Sequence, residues 1–419
     1  MNQTASTVDK PEPAATRMQW IGALSRADDL TVALTDITRQ LADDVAEHGP
    51  FDVLFCFVSP AYAGLSDLPE RLADAVPHRH LIGCTGGGVV GSPGGGGGAP
   101  CEIEQRPALG ITAARLPGVR LLPFSMTAEQ VGSIGSSPGE WERAVGVRRG
   151  EARGFVVLAD PFSFPVERLT EGLDFACPGA PVVGGLASGA RGPGQNLLLM
   201  DGGVRREGAV GLALEGNVIV DTVVAQGVRP VGGLFTVTGA EGQMLRSLND
   251  LPVMAVLESV VAEMDGDERA LLANGLFLGL AQSASDETPG HGDFLIRNVL
   301  GVTSDDSALM VGDRLDEGRL ARFHLRDAIT SAEDLTLMLS AYAQRHGDRP
   351  PAGGLMFSCL GRGVALYGEP NHDVGVFRTI IGKVPVGGFF CNGEIGPVAG
   401  ATYLHGYTSV FALFHPERP

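Results

Sequence analysis

Residues 353–368 read GGLMFSCLGRGVALYG, and residues 384–397 read VPVGGFFCNGEIGP. Each is an apolar run of strand length that ends in a glycine-rich turn. The first turn carries Cys359 and Arg362; the second carries Cys391, Asn392, Gly393 and Glu394. A strand buried on both faces has no room for charge, so polar side chains at its end face a crevice. That is the architecture of a binding site, and it does not name what binds.

Working outward, the same pattern occurs two more times. DVLFCFVSP (52–60), PERLADAVPHRH (69–80) and LIGCTGGGVVG (81–91) make a strand, a helical connection and a second strand ending in glycines. GFVVLADPF (154–162), VERLTEGLDFACPG (166–179) and APVVGGLASGARG (180–192) repeat it. Each copy reads as a βαβ unit with parallel strands and a right-handed crossover. Each is followed by further strands: PALGITAARL with VRLLPFSM, then a run holding EGN (215–217) as a hairpin turn, then YLHGYTSVFALF. The fold class expected is mixed α+β: repeated βαβ-plus-antiparallel units forming layered mixed sheets with helices packed on them.

The remaining chain is read more coarsely. A helix is predicted over about 28–47, with Leu30, Ala33, Leu34, Ile37 and Leu41 at helical spacing. Another starts near Pro252 and is closed by Asp265-Gly266-Asp267. Thr330 to Glu333 reads as a capping box opening a helix that Gly347 ends. Residues 126–150 look like an irregular linker, and SPGGGGGAP (92–100) like a mobile loop.

Composition bounds the partners. The 419 residues are 44% apolar, enough for two or three domains with a substantial core. A net charge of −18 repels polyanions, which excludes nucleic acid and anionic membrane surfaces as natural partners. The six cysteines form no CxxC pair and show no zinc spacing, which fits a reducing cytoplasm. Residues 1–17 read as a disordered tail without the apolar core of a signal peptide, and no run approaches the roughly 20 residues of a membrane span. A soluble, cytoplasmic protein is expected.

Several motifs invite chemistry. Gly86 to Gly91 matches G-x-G-x-x-G, but SPGGGGG follows it where a dinucleotide site needs a helix. Cys359 is a nucleophile only with a lowered pKa and a base beside it; His372 and His405 are candidate partners that spacing does not place there. Arg362 and Glu394 follow strands of one βαβ unit. Together they would clamp a zwitterion, the guanidinium on its carboxylate and the Glu on its ammonium, or else form an internal salt bridge. Arg297-Asn298 and Arg326-Asp327 follow apolar strands and read as solvated strand ends, with Arg297 in reach of the same crevice. The nine histidines are scattered. His291, His372 and His405 are each open as a single axial ligand for haem.

Taken in order, DVLFCFVSPAY, LIGCTGGGVVG and VVGGLASG, then DFLIRNVLG, HLRDA, FSCLGRG and PVGGFFCNGEIGP, resemble the FIST family with its FIST N and FIST C regions. The resemblance covers about residues 18–415 and implies a FIST N-like domain over 18–245 and a FIST C-like domain over 246–419. It implies an intracellular sensor that binds a small ligand, amino acids among the candidates, and signals through a partner protein. Homo-oligomers are compatible with it. Some relatives bind haem, so a haem gas sensor is one alternative, and a thiol enzyme using Cys359 is another; no catalytic constellation, metal set or obligatory cofactor is expected. The family's FSC-x-x-R pattern maps to Phe357, Ser358, Cys359 and Arg362. Its glycine-Glu turn maps to Gly393 and Glu394, and the glycine-cysteine turn of the N region to Gly83, Cys84 and Thr85. After that cysteine the family's Ser/Thr-rich turn with an acid is replaced by Gly86-Gly87-Gly88-Val89. The expected ligand-binding set is Cys359, Arg362, Asn392, Gly393, Glu394, Arg297, Cys84 and Thr85.

Overall fold

The computed structural model describes residues 17–94, 98–282, 294–347 and 349–417. His291, the centre of the 92–100 glycine run and residues 1–16 of the expected tail lie outside the described residues.

The chain runs through three copies of one unit. The first is β1 (Gln19–Ser25), α1 (Leu30–His48), β2 (Phe51–Val58), α2 (Leu68–Ala75), β3 (His78–Thr85), β4 (Gly88–Gly91), β5 (Cys101–Glu104) and β6 (Leu109–Arg115). The second is β7 (Val119–Met126), α3 (Ala128–Ser133), α4 (Pro138–Val145), β8 (Ala152–Ala159), α5 (Val166–Ala176), β9 (Val182–Leu186), β10 (Leu198–Met200), β11 (Gly203–Arg205) and β12 (Ala209–Gly216). The third starts with β13 (Ile219–Ala225) and is interrupted by an insertion. This comprises β14 (Val228–Glu241), β15 (Met244–Leu248), β16 (Leu251–Pro252), α6 (Val253–Glu263), α7 (Gly266–Leu271), β17 (Leu276–Ala281), β18 (Phe294–Val302), β19 (Leu309–Val311) and β20 (Leu320–Arg326). The unit resumes with α8 (Ala328–His346), β21 (Gly353–Cys359), α9 (Val364–Tyr367), α10 (His372–Ile381), β22 (Val386–Cys391), β23 (Glu394–Val398), β24 (Ala401–His405) and β25 (Ser409–His415).

Each unit builds a six-stranded sheet of the same order: β1-β6-β2-β3-β10-β11, β7-β12-β8-β9-β23-β24 and β13-β25-β21-β22-β4-β5. The three βαβ pairs, β2/β3, β8/β9 and β21/β22, are parallel, as the repeat predicts. The outer hairpin of each sheet comes from another unit. Hairpin β10–β11 completes the first sheet, β23–β24 the second and β4–β5 the third, so the exchange closes in a ring. The insertion forms a separate seven-stranded sheet, β14-β20-β17-β18-β19-β15-β16.

The parallel strands read as continuous apolar runs because both faces are buried. Their inner faces meet in one central core, with Phe55 and Phe57, Val156 and Leu158, and Phe357, Phe389 and Phe414 from the three sheets. Phe57 stacks on Phe389 at 5.1 Å and meets Phe357 edge-on at 6.4 Å. Their outer faces are covered by helices. Leu54, Cys56 and Val58 pack under Leu34, Ile37 and Leu41 of α1; Met356 and Phe411 pack under Leu335 and Leu339 of α8 and Phe377 of α10. Helix α1 buries the five residues read from the sequence, and Asp29 caps it by accepting from the Thr31 and Val32 N–H groups.

Gly83, Gly184 and Gly388 hold equivalent places in the three parallel pairs. A Cβ there would lie 2.0 Å from the Cys56 carbonyl oxygen, 1.8 Å from that of Val157 and 1.8 Å from that of Met356. Only glycine lets the neighbouring backbone approach so closely.

Several local expectations are corrected. EGN is not a hairpin: β12 pairs with β7 and β8, whereas β13 pairs with β25 in another sheet. Likewise β6 and β7 do not pair with each other. Both turns are joints where the chain passes from one unit to the next, and alternation in sequence cannot distinguish such a joint from a hairpin. Residues 126–150 hold α3 and α4, each opened by a capping box at Thr127 and Ser137. Asp265 caps a second short helix rather than closing the previous one. Helix α8 starts before Thr330, because the Asp327 carboxylate accepts from the Ile329 and Thr330 N–H groups and captures the N-terminus first. Gly88 to Gly91 is a strand, so the G-x-G-x-x-G match is coincidental.

Candidate functional site

Strands β21 and β22 end side by side, with Cys359 opposite Cys391. The insertion closes over these carboxyl ends. Between them lies a cavity of about 540 Å³ lined by Cys359, Leu360 and Gly361, by Cys391, Asn392 and Gly393, by Ile296 to Asn298 of β18, by Arg326 at the end of β20, and by the turn from Leu404 to Tyr407. Its size suits a small ligand, and its place beyond the ends of parallel strands is where α/β sheets bind them.

The expected residues divide into three groups. Cys359, Asn392, Gly393 and Arg297 line the cavity. Arg362 and Glu394 are fully buried and are not part of its wall. Cys84 and Thr85 belong to the core of the first unit, where Cys84 is fully buried and Thr85 Oγ1 accepts from the Leu197 N–H at 3.1 Å.

The zwitterion clamp between Arg362 and Glu394 is replaced by a different pairing. The Arg362 fork is taken by Asp373, with Nε donating to Oδ2 at 2.7 Å and Nη2 to Oδ1 at 3.1 Å. Nη2 also donates to the Tyr367 hydroxyl at 2.6 Å, and Nη1 to the Tyr407 carbonyl at 3.3 Å. Burial opposes charge on both partners. Their mutual attraction outweighs it, holding Asp373 well below the usual carboxylate range, with His372 adding to the effect, and raising Arg362. Four of the five N–H donors of this guanidinium are taken within the protein, and the group is sealed away from the cavity.

Glu394 is buried behind Cys359. Its Oε2 accepts from the Thr408 N–H at 3.1 Å, while Oε1 has no partner. Burial raises its pKa well above the ordinary value, against the partial opposition of the Thr408 bond and Arg362. Its position in the repeat is informative. Cys84, Gly185 and Phe389 are equivalent in the three parallel pairs, and they face Leu198, Glu394 and Val89 respectively. Two copies place an aliphatic side chain where the third places a carboxyl group. Packing alone is satisfied by the aliphatic, so the carboxyl is specific to the unit that carries the cavity.

Arg326, read from sequence as a solvated strand end, is the free cation of the cavity. Its Nε and Nη2 are buried and have no hydrogen-bond partner among the described residues. Its guanidinium lies 4.4 Å from the centre of the Tyr407 ring. Burial lowers its pKa, the direction expected for a cation lacking a paired carboxylate. Tyr407 is held at φ +61°, a left-handed conformation that costs a bulky residue about 1–3 kcal/mol. That geometry lets the ring cover Arg326 while the carbonyl of the same residue accepts from Arg362. Gly361 allows the approach, because a Cβ there would lie 2.9 Å from the Tyr407 ring and 3.1 Å from Arg326 Nη2.

Arg297 is already engaged. Its Nε donates to Asp313 Oδ2 at 2.6 Å and its Nη1 to the Leu404 carbonyl at 2.7 Å. Cys359 accepts from the Gly361 N–H through Sγ at 3.4 Å. Burial and the Glu394 carboxyl push its thiol up to about 12, so it is protonated at neutral pH. His405 Nε2 is bound to the Gly396 carbonyl at 2.9 Å, and burial lowers its pKa to about 4. His372 stacks on Tyr367 at 3.5 Å and contacts Asp373 through Nδ1 at 3.1 Å.

The chain matches the FIST N domain over residues 52–251 and the FIST C domain over residues 254–397. An uncharacterised protein of Mycobacterium tuberculosis is 36% identical over 351 residues, 83% of this chain and 87% of that protein. One from Mycobacterium bovis is 32% identical over 388 residues, 92% of this chain and 96% of that protein. Human F-box only protein 22 is 36% identical over 78 residues, 15% of this chain and 19% of that protein. A cyanuric acid hydrolase of A. caulinodans aligns over 96% of this chain and 100% of its own, at 10% identity and a TM-score of 0.31, which carries no argument about fold or activity. With both domain matches and full-length relatives above 30% identity, this chain belongs to the FIST family.

Proposed function

We propose that this protein is a sensor whose cavity seats a small carboxylate-bearing ligand of the amino-acid class on Arg326, and that seating is relayed to a partner protein. The observation that carries this reading is the pair of buried, unpartnered donors on Arg326. Leaving such donors unsatisfied costs about 1–3 kcal/mol each, and a carboxylate satisfies both through two parallel bonds. The lining also holds Glu167, and Asp313 already paired with Arg297, as carboxylates for an ammonium group, so this cavity rather than the Arg362–Glu394 pair is the seat we assign to a zwitterion. Tyr407 connects the site to the core, because its ring covers Arg326 and its carbonyl holds Arg362.

The two alternatives draw less support. A thiol enzyme needs a thiolate and a base, and burial, then the Glu394 carboxyl, push the Cys359 thiol up to about 12 rather than down. A haem site needs a free imidazole nitrogen. His405 lines the cavity but its Nε2 is held by the Gly396 carbonyl, and His372 is not among the lining residues, its ring being stacked on Tyr367.

A panel of amino acids and small carboxylic acids, screened by thermal shift and confirmed by calorimetry, tests the proposal. At least one should raise the melting temperature of the wild type and leave that of Arg326→Met unchanged. A ligand bound equally well by both proteins, or binding only by compounds without a carboxylate, rejects it. No helix among the described residues is long and apolar enough to cross a membrane.

A further inference from the structure

The side chains of Asp221, His346 and His415 are brought together from three elements: β13, the last turn of α8, and β25. No spacing in the sequence signals this. β13 and β25 are antiparallel neighbours in which Ile219 faces His415, so Asp221 and His415 are diagonal neighbours on one face of the sheet. Tyr342 and His346, four residues apart on α8, descend onto that face. One ligand atom from each of Asp221, His346 and His415 lies within 4.8 Å of the other two.

We propose that these three side chains form a metal site for zinc or a similar late first-row divalent ion. Two distances support this. Asp221 Oδ2 lies 3.4 Å from His415 Nε2 and 3.5 Å from His346 Nε2. In a tetrahedral zinc centre, bonds of about 2.0–2.1 Å place adjacent ligand atoms about 3.4 Å apart. Two of the three edges therefore already have the required length, and the third, between the two stacked histidine rings, is no longer than 4.8 Å. Asp221 Oδ2 and His346 Nε2 are also buried atoms without a hydrogen-bond partner. A bound ion would satisfy both. His415 Nε2 faces the Tyr342 hydroxyl, which the ion displaces as its partner. Side-chain exposures of 24%, 23% and 11% leave a path for the ion and a place for water as the fourth ligand. Two imidazoles and one carboxylate are a borderline nitrogen and oxygen set, suited to zinc rather than to calcium or magnesium.

The position gives the ion a task. β13 leads into the inserted sheet and α8 leads out of it. A metal held by Asp221 and His346 would tie the two stems of the insertion to each other and to β25, fixing the roof of the cavity relative to its floor.

Metal-free protein titrated with zinc against a chromophoric chelator provides the test, with cobalt(II) substitution to report the donor atoms. The expected result is one equivalent of bound zinc, a cobalt spectrum of nitrogen and oxygen ligation without thiolate charge transfer, and affinity reduced at least tenfold in both His346→Ala and Asp221→Asn. His346 lies on the last helical turn, so its replacement leaves the core intact. No stoichiometric binding by the wild type, a thiolate band placing the ion on cysteines, or unchanged affinity in His346→Ala would overturn the proposal.

Discussion

Two arginines within a few residues of one cavity should answer truncation in opposite ways. Arg362→Met removes a guanidinium that is fully buried and makes four hydrogen bonds, two of them to Asp373. It leaves the Asp373 carboxylate in the dry interior without its cation, held only by the Ser358 hydroxyl and His372. Breaking one side of such a pair costs about 3–5 kcal/mol. Arg326→Met keeps the aliphatic stem and removes a cation with two buried, unpartnered donors. The loss is a desolvated cation–π contact worth about 2 kcal/mol, and the gain is relief of two unsatisfied donors at about 1–3 kcal/mol each. The net effect is neutral or stabilising. Urea unfolding followed by fluorescence and circular dichroism measures both. The expected outcome is a large fall in midpoint for Arg362→Met and none for Arg326→Met, with ligand response lost in the latter. If Arg326→Met is destabilised as much as Arg362→Met, Arg326 is part of the fold and the separation between framework and binding cation fails.

Three further outcomes follow from the packing. Glu102 is buried, with one oxygen accepting from the Val374 N–H and the other unpartnered; burial first, then the Asp373 charge, raises its pKa to about 8 from an ordinary 4.5. Its contribution to stability is therefore present below about 4.5 and is lost as pH rises toward 8, whereas that of Asp373, held low, is present above about 4 and lost in acid; Glu102→Gln should flatten the decline in unfolding midpoint between pH 5 and 8, and an unchanged slope would assign the decline elsewhere. Gly184→Ala places a Cβ 1.8 Å from the Val157 carbonyl oxygen at φ +150° and should abolish soluble expression, so a variant of native stability would show that the β8/β9 spacing is wrong. Iodoacetamide should modify Cys359 slowly at pH 7.5, with a rate that keeps climbing as pH rises toward 12; a plateau below pH 9 would reveal an activated thiolate and revive the enzyme alternative.

Much of the architecture was legible because the parallel strands are buried on both faces and stand out as apolar blocks closed by glycines. The three βαβ copies follow from that signal, and the buried face of α1 from its helical spacing. What the blocks conceal is which edge each later strand joins. Hairpin β4–β5 looks like a continuation of its own unit, yet its partner β22 begins almost 300 residues later, and backbone pairing carries no address in the side chains. The site was half visible for a similar reason. Cys359, Asn392 and Gly393 lie at strand ends that the sequence marks. Asp373 was missed because an acidic residue in the first turn of a helix ordinarily needs no partner, and here it supplies the counter-charge for Arg362. Arg326 reads as a solvated strand end because its cover, Tyr407, lies about 80 residues further along the chain.

The ring of exchanged hairpins also sets the order in which a growing chain can be finished. The first sheet cannot seal its β3 edge until residues 198–205 have been made, and the second must wait at β9 (Val182–Leu186) for residues 394–405. During translation the nascent protein therefore carries unsealed strand borders, of the kind that recruit strands from other molecules. The interval between making β9 and making its partner hairpin is consequently when closure of the ring competes with self-association, and shielding by chaperones matters most then.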